Sequence, residues 1–94
     1  MSLHIEGRRW FQRGPGNTYH SVRIWADGKQ VAYLPFAYGY GDGFLQTAVE
    51  WLRQNCEALH LPGVTADMPY GTLHLRENCG GTYSVIDVTR KGDL

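Results

Sequence analysis

Residues 18–36 read TYHSVRIWADGKQVAYLPF: two runs rich in β-branched and aromatic side chains, joined by Asp27-Gly28. That composition suits strands. Asp-Gly is a strong hairpin signal, because a type I′ turn needs positive φ at both central positions. A two-residue loop pairs Ile24 with Val31 and Val22 with Tyr33 on one face, the predicted core face. Tyr19, Arg23, Trp25, Leu34 and Phe36 then share the other face, which is aromatic but also carries Arg23 and Ser21. A one-residue slip would exchange the two faces of either strand.

Working outward, IEGRRWFQR (5–13) reads as a first strand, and Gly14-Pro15-Gly16-Asn17 is dense in turn formers. Downstream, Leu45, Ala48, Val49, Leu52, Cys56 and Leu59 form one stripe at about 100° per residue, which predicts a core-facing helix over 43–60. Asp42 is its expected N-cap and Pro62-Gly63 its stop. Phe44 and Trp51 lie together to one side of that stripe, either widening the core or forming an exposed aromatic shoulder. Residues 70–79 read two ways: Leu73 and Leu75 alternate like a strand, whereas Asp67 as a cap, Pro69 in the first turn and Gly80 at the end favour a short helix. TYSVIDVTRK (82–91) is the last strand, Ile86 and Val88 facing away from Tyr83, Val85 and Asp87. The expectation is one α+β domain, 1–94, ordered βββ-α-(α)-β. About four antiparallel strands carry one or two helices on one face.

Composition narrows the function classes. Hydrophobic residues make up 43% of the 94, with three Trp, six Tyr and three Phe, so the chain is not of the disordered class. Nine basic groups balance nine acidic ones, which argues against a polybasic nucleic-acid binder. The longest uncharged stretch, Gln30 to Gly41, is broken by Pro35 and too short for a bilayer span. MSLHIEGRR has no apolar run of the signal-peptide kind, and Cys56 and Cys79 form no closely spaced doublet. A cytoplasmic protein without membrane partner is the simplest reading.

Candidate chemistry is sparse. YGYGDG (38–43) sits between strand and helix, where phosphate cradles occur, but no Lys follows and Asp42 repels anions. Cys56, His60, His74 and Cys79 could be drawn into a zinc site, although Cys56 falls on the buried stripe. His20 lies on the predicted core face, a structural position. No Ser occupies a nucleophile elbow and no carboxylate pair is set apart, so neither enzyme activity nor a cofactor or metal is expected.

Binding residues are more plentiful. Arg8, Arg9, Trp10, Phe11, Arg13, Arg23 and Trp25 interleave cations with rings on the first strands, as single-strand nucleic-acid binders do. Residues 1–41 carry five basic and two acidic groups, whereas 42–87 carry two basic and six acidic. Trp, Tyr and Arg also dominate protein interfaces. Tyr19, Tyr40 and Trp51 complete the candidate contact set. Replacing Arg9 and Trp25 together is expected to weaken binding without unfolding the domain. A homodimer burying Phe44 and Trp51 is compatible with either kind of partner.

Three stretches carry a resemblance: RRWFQRGPGNTYHSVRIWADGK (8–29), PFAYGYGDGFLQTA (35–48) and SVIDVTRKGDL (84–94). Together they resemble a group of small bacteriophage- and prophage-encoded proteins, matching at Trp10, Phe11, Asn17, Tyr19, His20, Tyr38, Tyr40 and Asp42. The resemblance brings no catalytic residues with it. It implies a phage product in the bacterial cytoplasm that binds and blocks a host protein, as anti-CRISPR and other anti-defence proteins do. The alternative is a single-stranded nucleic-acid binder using the same basic and aromatic strands.

Overall fold

The computed structural model describes residues 2–94, so Met1 of the expected domain lies outside the described residues. Strands β1 (Leu3–Gln12), β2 (Asn17–Ala26) and β3 (Lys29–Tyr38) form an antiparallel meander. Asp27 and Gly28 have φ of 53° and 79°, the geometry the type I′ turn requires. Helix α1 (Gly43–Gln54) then packs back across the meander, followed by a turn of helix α2 (Cys56–Leu59) and by α3 (Thr72–Glu77). Strand β4 (Gly81–Val88) closes the sheet in the order β3-β2-β1-β4.

The α+β class and strand count agree with expectation, but the sheet is mixed. Strand β4 runs parallel to β1, with Gly81 opposite Leu3 and Val88 opposite Trp10. Parallel neighbours need a crossover of a dozen residues or more. The helices supply it: they carry the chain from the end of β3 back to the end where β1 begins.

The register of the hairpin departs from the simple two-residue-loop count. Ala26 pairs with Lys29 and Trp25 with Gln30 as expected, but irregularities then insert extra residues in β3. Ile24 therefore pairs with Ala32, and Val22 with Leu34. Each added residue flips the strand's alternation. Leu34 joins the core side and Tyr33 moves beside Arg23 on the open side, the reverse of their predicted places.

On the helix side, Leu3, Ile5, Val22 and Ile24 meet Leu45, Ala48, Val49 and Leu52 of α1, with Leu61, Val64, Met68 and Leu75 closing the far end. Burying each such aliphatic side chain contributes about 1.5–3 kcal/mol. The helix stops short of His60. It breaks at Asn55, whose side-chain amide donates to the Trp51 carbonyl at 2.9 Å. Cys56 and Leu59 are consequently half-buried rather than central to the stripe. Asp42 occupies the N-cap position without a side-chain cap bond. Gly71, not Asp67, precedes α3, and Asp67 instead accepts from the Thr65 hydroxyl at 2.9 Å.

Phe44 is only 1% exposed. Its ring lies directly over Gly7 in the middle of β1, in the space a Cβ there would occupy. We therefore expect Gly7→Ala to destabilise the protein by about 2 kcal/mol, as overpacking of a filled core does. Urea unfolding measures this, and adding Phe44→Leu to Gly7→Ala should recover part of the loss.

Candidate functional site

The strands' alternation sorts the predicted contact residues onto different surfaces. Arg8, Trp10, Tyr19, Arg23 and Trp25 share the sheet face that carries no helix. Arg9 points to the helix side, and Arg13 sits in the β1–β2 turn. Tyr40 is exposed in the loop before α1, and Trp51 is half-buried against the core on α1. Arg9 and Trp25 thus lie on opposite faces, so their joint substitution does not probe one surface.

Arg9 is also built into the fold. Its guanidinium spans both carboxylate oxygens of Asp87 at 2.8 and 3.3 Å and donates to the Gly41 carbonyl at 3.2 Å. It thereby ties β1 to β4 and to the glycine-rich loop. A cleft of about 420 Å³ lies beside it, lined by Phe11, Thr18, Tyr40 and Val88. The loop itself is held by its carbonyls, Gly39 accepting from His20 and Gly41 from Arg9. The YGYGDG segment is a clamped bend.

The open face divides into three zones. Its centre is covered by the chain's last residues, which fold back over the sheet. Leu94 is buried there, and Ser21 on the same face is fully enclosed. The Leu94 carbonyl accepts from Arg23 at 3.3 Å and from the Tyr33 hydroxyl at 3.1 Å, while Arg8 donates to the Asp93 carbonyl at 3.1 Å. Arg23 also lies over the Tyr33 ring at 4.5 Å, and Arg8 pairs with Glu6 at 3.1 Å. These two cations, expected at an interface, hold the covering segment in place.

Beyond one edge of that cover stand His4 and Trp25. His4 lies between the hydroxyls of Thr82 and Ser84, at 2.7 and 3.3 Å. Beyond the other edge is an aromatic ladder. Trp10, Tyr19 and Phe36 stack in sequence with centroids 5.9 and 4.6 Å apart and planes within 25° and 19°, and Tyr38 meets Tyr19 edge-on at 5.7 Å. Lys91 caps the Phe36 ring at 5.0 Å. Within the stack, Tyr19 is faced by both Trp10 and Phe36. Phe36 and Tyr38 remain 48% and 67% exposed. Among the described residues Arg13, which borders a hollow of about 380 Å³ with Trp10, Phe11, Val88 and Thr89, pairs with no carboxylate. Phe36 was expected on the aromatic face with Tyr19 and Trp25, whereas Tyr38 was absent from the predicted contact set. The simple hairpin count already sets Phe36 opposite Tyr19; the two β3 irregularities, which the sequence does not announce, set Tyr38 there and leave Phe36 stacked beside it.

The other candidates resolve as structural groups. Phe44 belongs to the core, so a dimer surface built from Phe44 and Trp51 does not exist in this fold. Cys79 is buried, which pushes its thiol up, and both cysteines are unpaired. His74 bonds to the Gly63 carbonyl at 2.7 Å, and no cluster of three metal-ligating side chains occurs among the described residues. Among the described residues no helix is long and apolar enough to cross a membrane.

His20 is buried between β2, the loop and α1. Nδ1 lies 3.1 Å from the Gly39 carbonyl and Nε2 lies 2.7 Å from the Thr47 hydroxyl. A carbonyl can only accept, so Nδ1 carries the proton and, in the neutral ring, Nε2 accepts from Thr47. Burial holds this imidazole below its ordinary range, with the Gly39 bond pulling the other way. No protein family, curated protein or solved structure matched the chain.

Two measurements follow from these contacts. A depressed histidine gives stability that is present above its unfolded-state value, about 6.5, and is lost as pH falls from there through the folded-state value. Urea midpoints should therefore fall between about pH 7 and pH 5, with a flatter slope in His20→Gln. Leu94→Ala keeps the backbone bonds but empties the covered zone, and should cost about 2 kcal/mol in the same assay.

Proposed function

We propose that the chain is a non-enzymatic binding module that docks on a protein through the aromatic end of its open sheet face. The observation that carries this reading is the Trp10–Tyr19–Phe36 stack with Tyr38 against it. A ridge of mutually stacked rings is rigid, so it presents apolar area with little side-chain entropy left to lose on docking. Aromatic anchors of this kind dominate protein interfaces.

The same geometry weighs against single-stranded nucleic acid. Base stacking needs free ring faces beside cations that track the phosphates. Here Tyr19 stacks with both Trp10 and Phe36, and Lys91 lies over the Phe36 ring. Arg8 and Arg9 are paired with Glu6 and Asp87, and Arg23 is committed to Leu94 and Tyr33. Arg13 alone of the candidate arginines stands free of such contacts among the described residues.

The resemblance to phage-encoded proteins gives the class of partner: a bacterial host protein in the cytoplasm, with a defence protein as the leading kind. The test is capture by tagged protein from bacterial lysate, with nuclease and without, comparing wild type, Phe36→Ser/Tyr38→Ser and a remote control, Gln54→Ala. A defined host protein should survive nuclease with wild type and the control, and fall at least roughly ten-fold with the double variant. Recovery of nucleic acid alone, or equal recovery by all three, refutes the proposal.

A further inference from the structure

The two edges of the sheet are unlike each other. Strand β3 is blunted in the usual ways: Lys29 at its start, Pro35 within it, and two register irregularities that break its ladder. Strand β4 has none of these. It is eight residues long, contains no Pro, and pairs with β1 without a register break. Its one charged side chain, Asp87, is drawn onto Arg9. Beyond it no strand follows in the sheet among the described residues. Tyr83 and Ile86 are nonetheless 45% and 52% exposed along this edge.

A long, regular, neutral edge is a template for another strand. We propose that β4 is a strand-addition site and that its occupant is β4 of a second copy of this chain, joined antiparallel about a two-fold axis at Ser84. The argument for a second copy is the strand's self-complementarity. A two-fold axis at Ser84 sets Tyr83 opposite the partner copy's Val85 on the helix side and Thr82 opposite its Ile86 on the open side. Aromatic with β-branched, and β-branched with β-branched, are favourable cross-strand pairs. Asp87 falls opposite Gly81, so no like charges meet. Two four-stranded sheets thereby become one of eight strands, with β3 and its blunting features at both outer edges. The aromatic ladder of the open face stays free, so this contact is independent of the docking proposed above.

Sedimentation equilibrium across micromolar to millimolar concentrations tests it. Wild type should approach twice the monomer mass, and amide exchange over residues 82–87 should slow with concentration while that over residues 30–37 does not. Ser84→Lys and Ser84→Glu each place like charges opposite one another and should weaken self-association several-fold. Mixing the two variants should restore it, because a lysine then faces a glutamate. A wild-type monomer throughout the range overturns the inference, as does a dimer indifferent to both variants. Exchange at residues 82–87 that does not change with concentration overturns it as well, without any substituted protein.

Discussion

The seating of Phe44 on Gly7 sets the distance between helix and sheet, and most of the architecture follows from that distance. A side chain at position 7 would hold the first turn of α1 away from β1. With none there, α1 sinks onto the meander, and Leu45, Ala48, Val49 and Leu52 reach the aliphatic side chains of β1 and β2. The same approach brings Thr47 to His20 and closes the loop over the imidazole. From α1 the chain passes through α2 and α3 to the end where β1 starts, and β4 enters parallel to that strand. Burial of one ring thus constrains how α1 and the glycine-rich loop sit on the meander.

A second constraint concerns the far side of the sheet. A four-stranded sheet with helices on one face leaves the other to be covered or used. This chain does some of each. The last residues bury Leu94 against this face, with Arg8, Arg23 and Tyr33 holding their carbonyls. The polar groups on the open face are satisfied by this cover rather than left for a partner. Arginines next to rings in sequence therefore became internal fasteners, while the rings furthest from the cover stayed at the surface.

Much of this was legible in the sequence because the signals were local. Asp27-Gly28 specified its turn through backbone conformation alone. The apolar spacing of 45–52 specified α1, and alternation in 82–88 gave the faces of β4. What local reading missed depended on contacts distant in the chain. Strand direction for β4 depends on where a crossover lands. The irregularities in β3 moved Leu34 and Tyr33 across the sheet and carried Tyr38 up to Tyr19, and neither leaves a mark in residue type. Pairing partners for Arg8, Arg9 and Arg23 lie up to 85 residues away, so their charge could be counted but not assigned. Gly7 was the available clue left unused: a glycine inside a strand asks for a close neighbour.

The distinction between fastening and contacting residues bears on how a domain this small can carry more than one surface. Its interior cannot hold twelve aromatic rings, and the fold distributes the surplus rather than clustering it. Phe44 is spent on the core and Tyr33 on the covering segment, whereas Trp10, Tyr19, Phe36 and Tyr38 brace each other at one end of the open face. Tyr83 and Ile86 flank the bare edge of β4, on opposite sides of the sheet from one another. The ladder is side-chain surface and offers apolar area to a partner's pocket. The edge is backbone surface and offers a hydrogen-bonding ladder. Surfaces that differ in the groups they present do not compete for the same occupant, so the two can be filled at once.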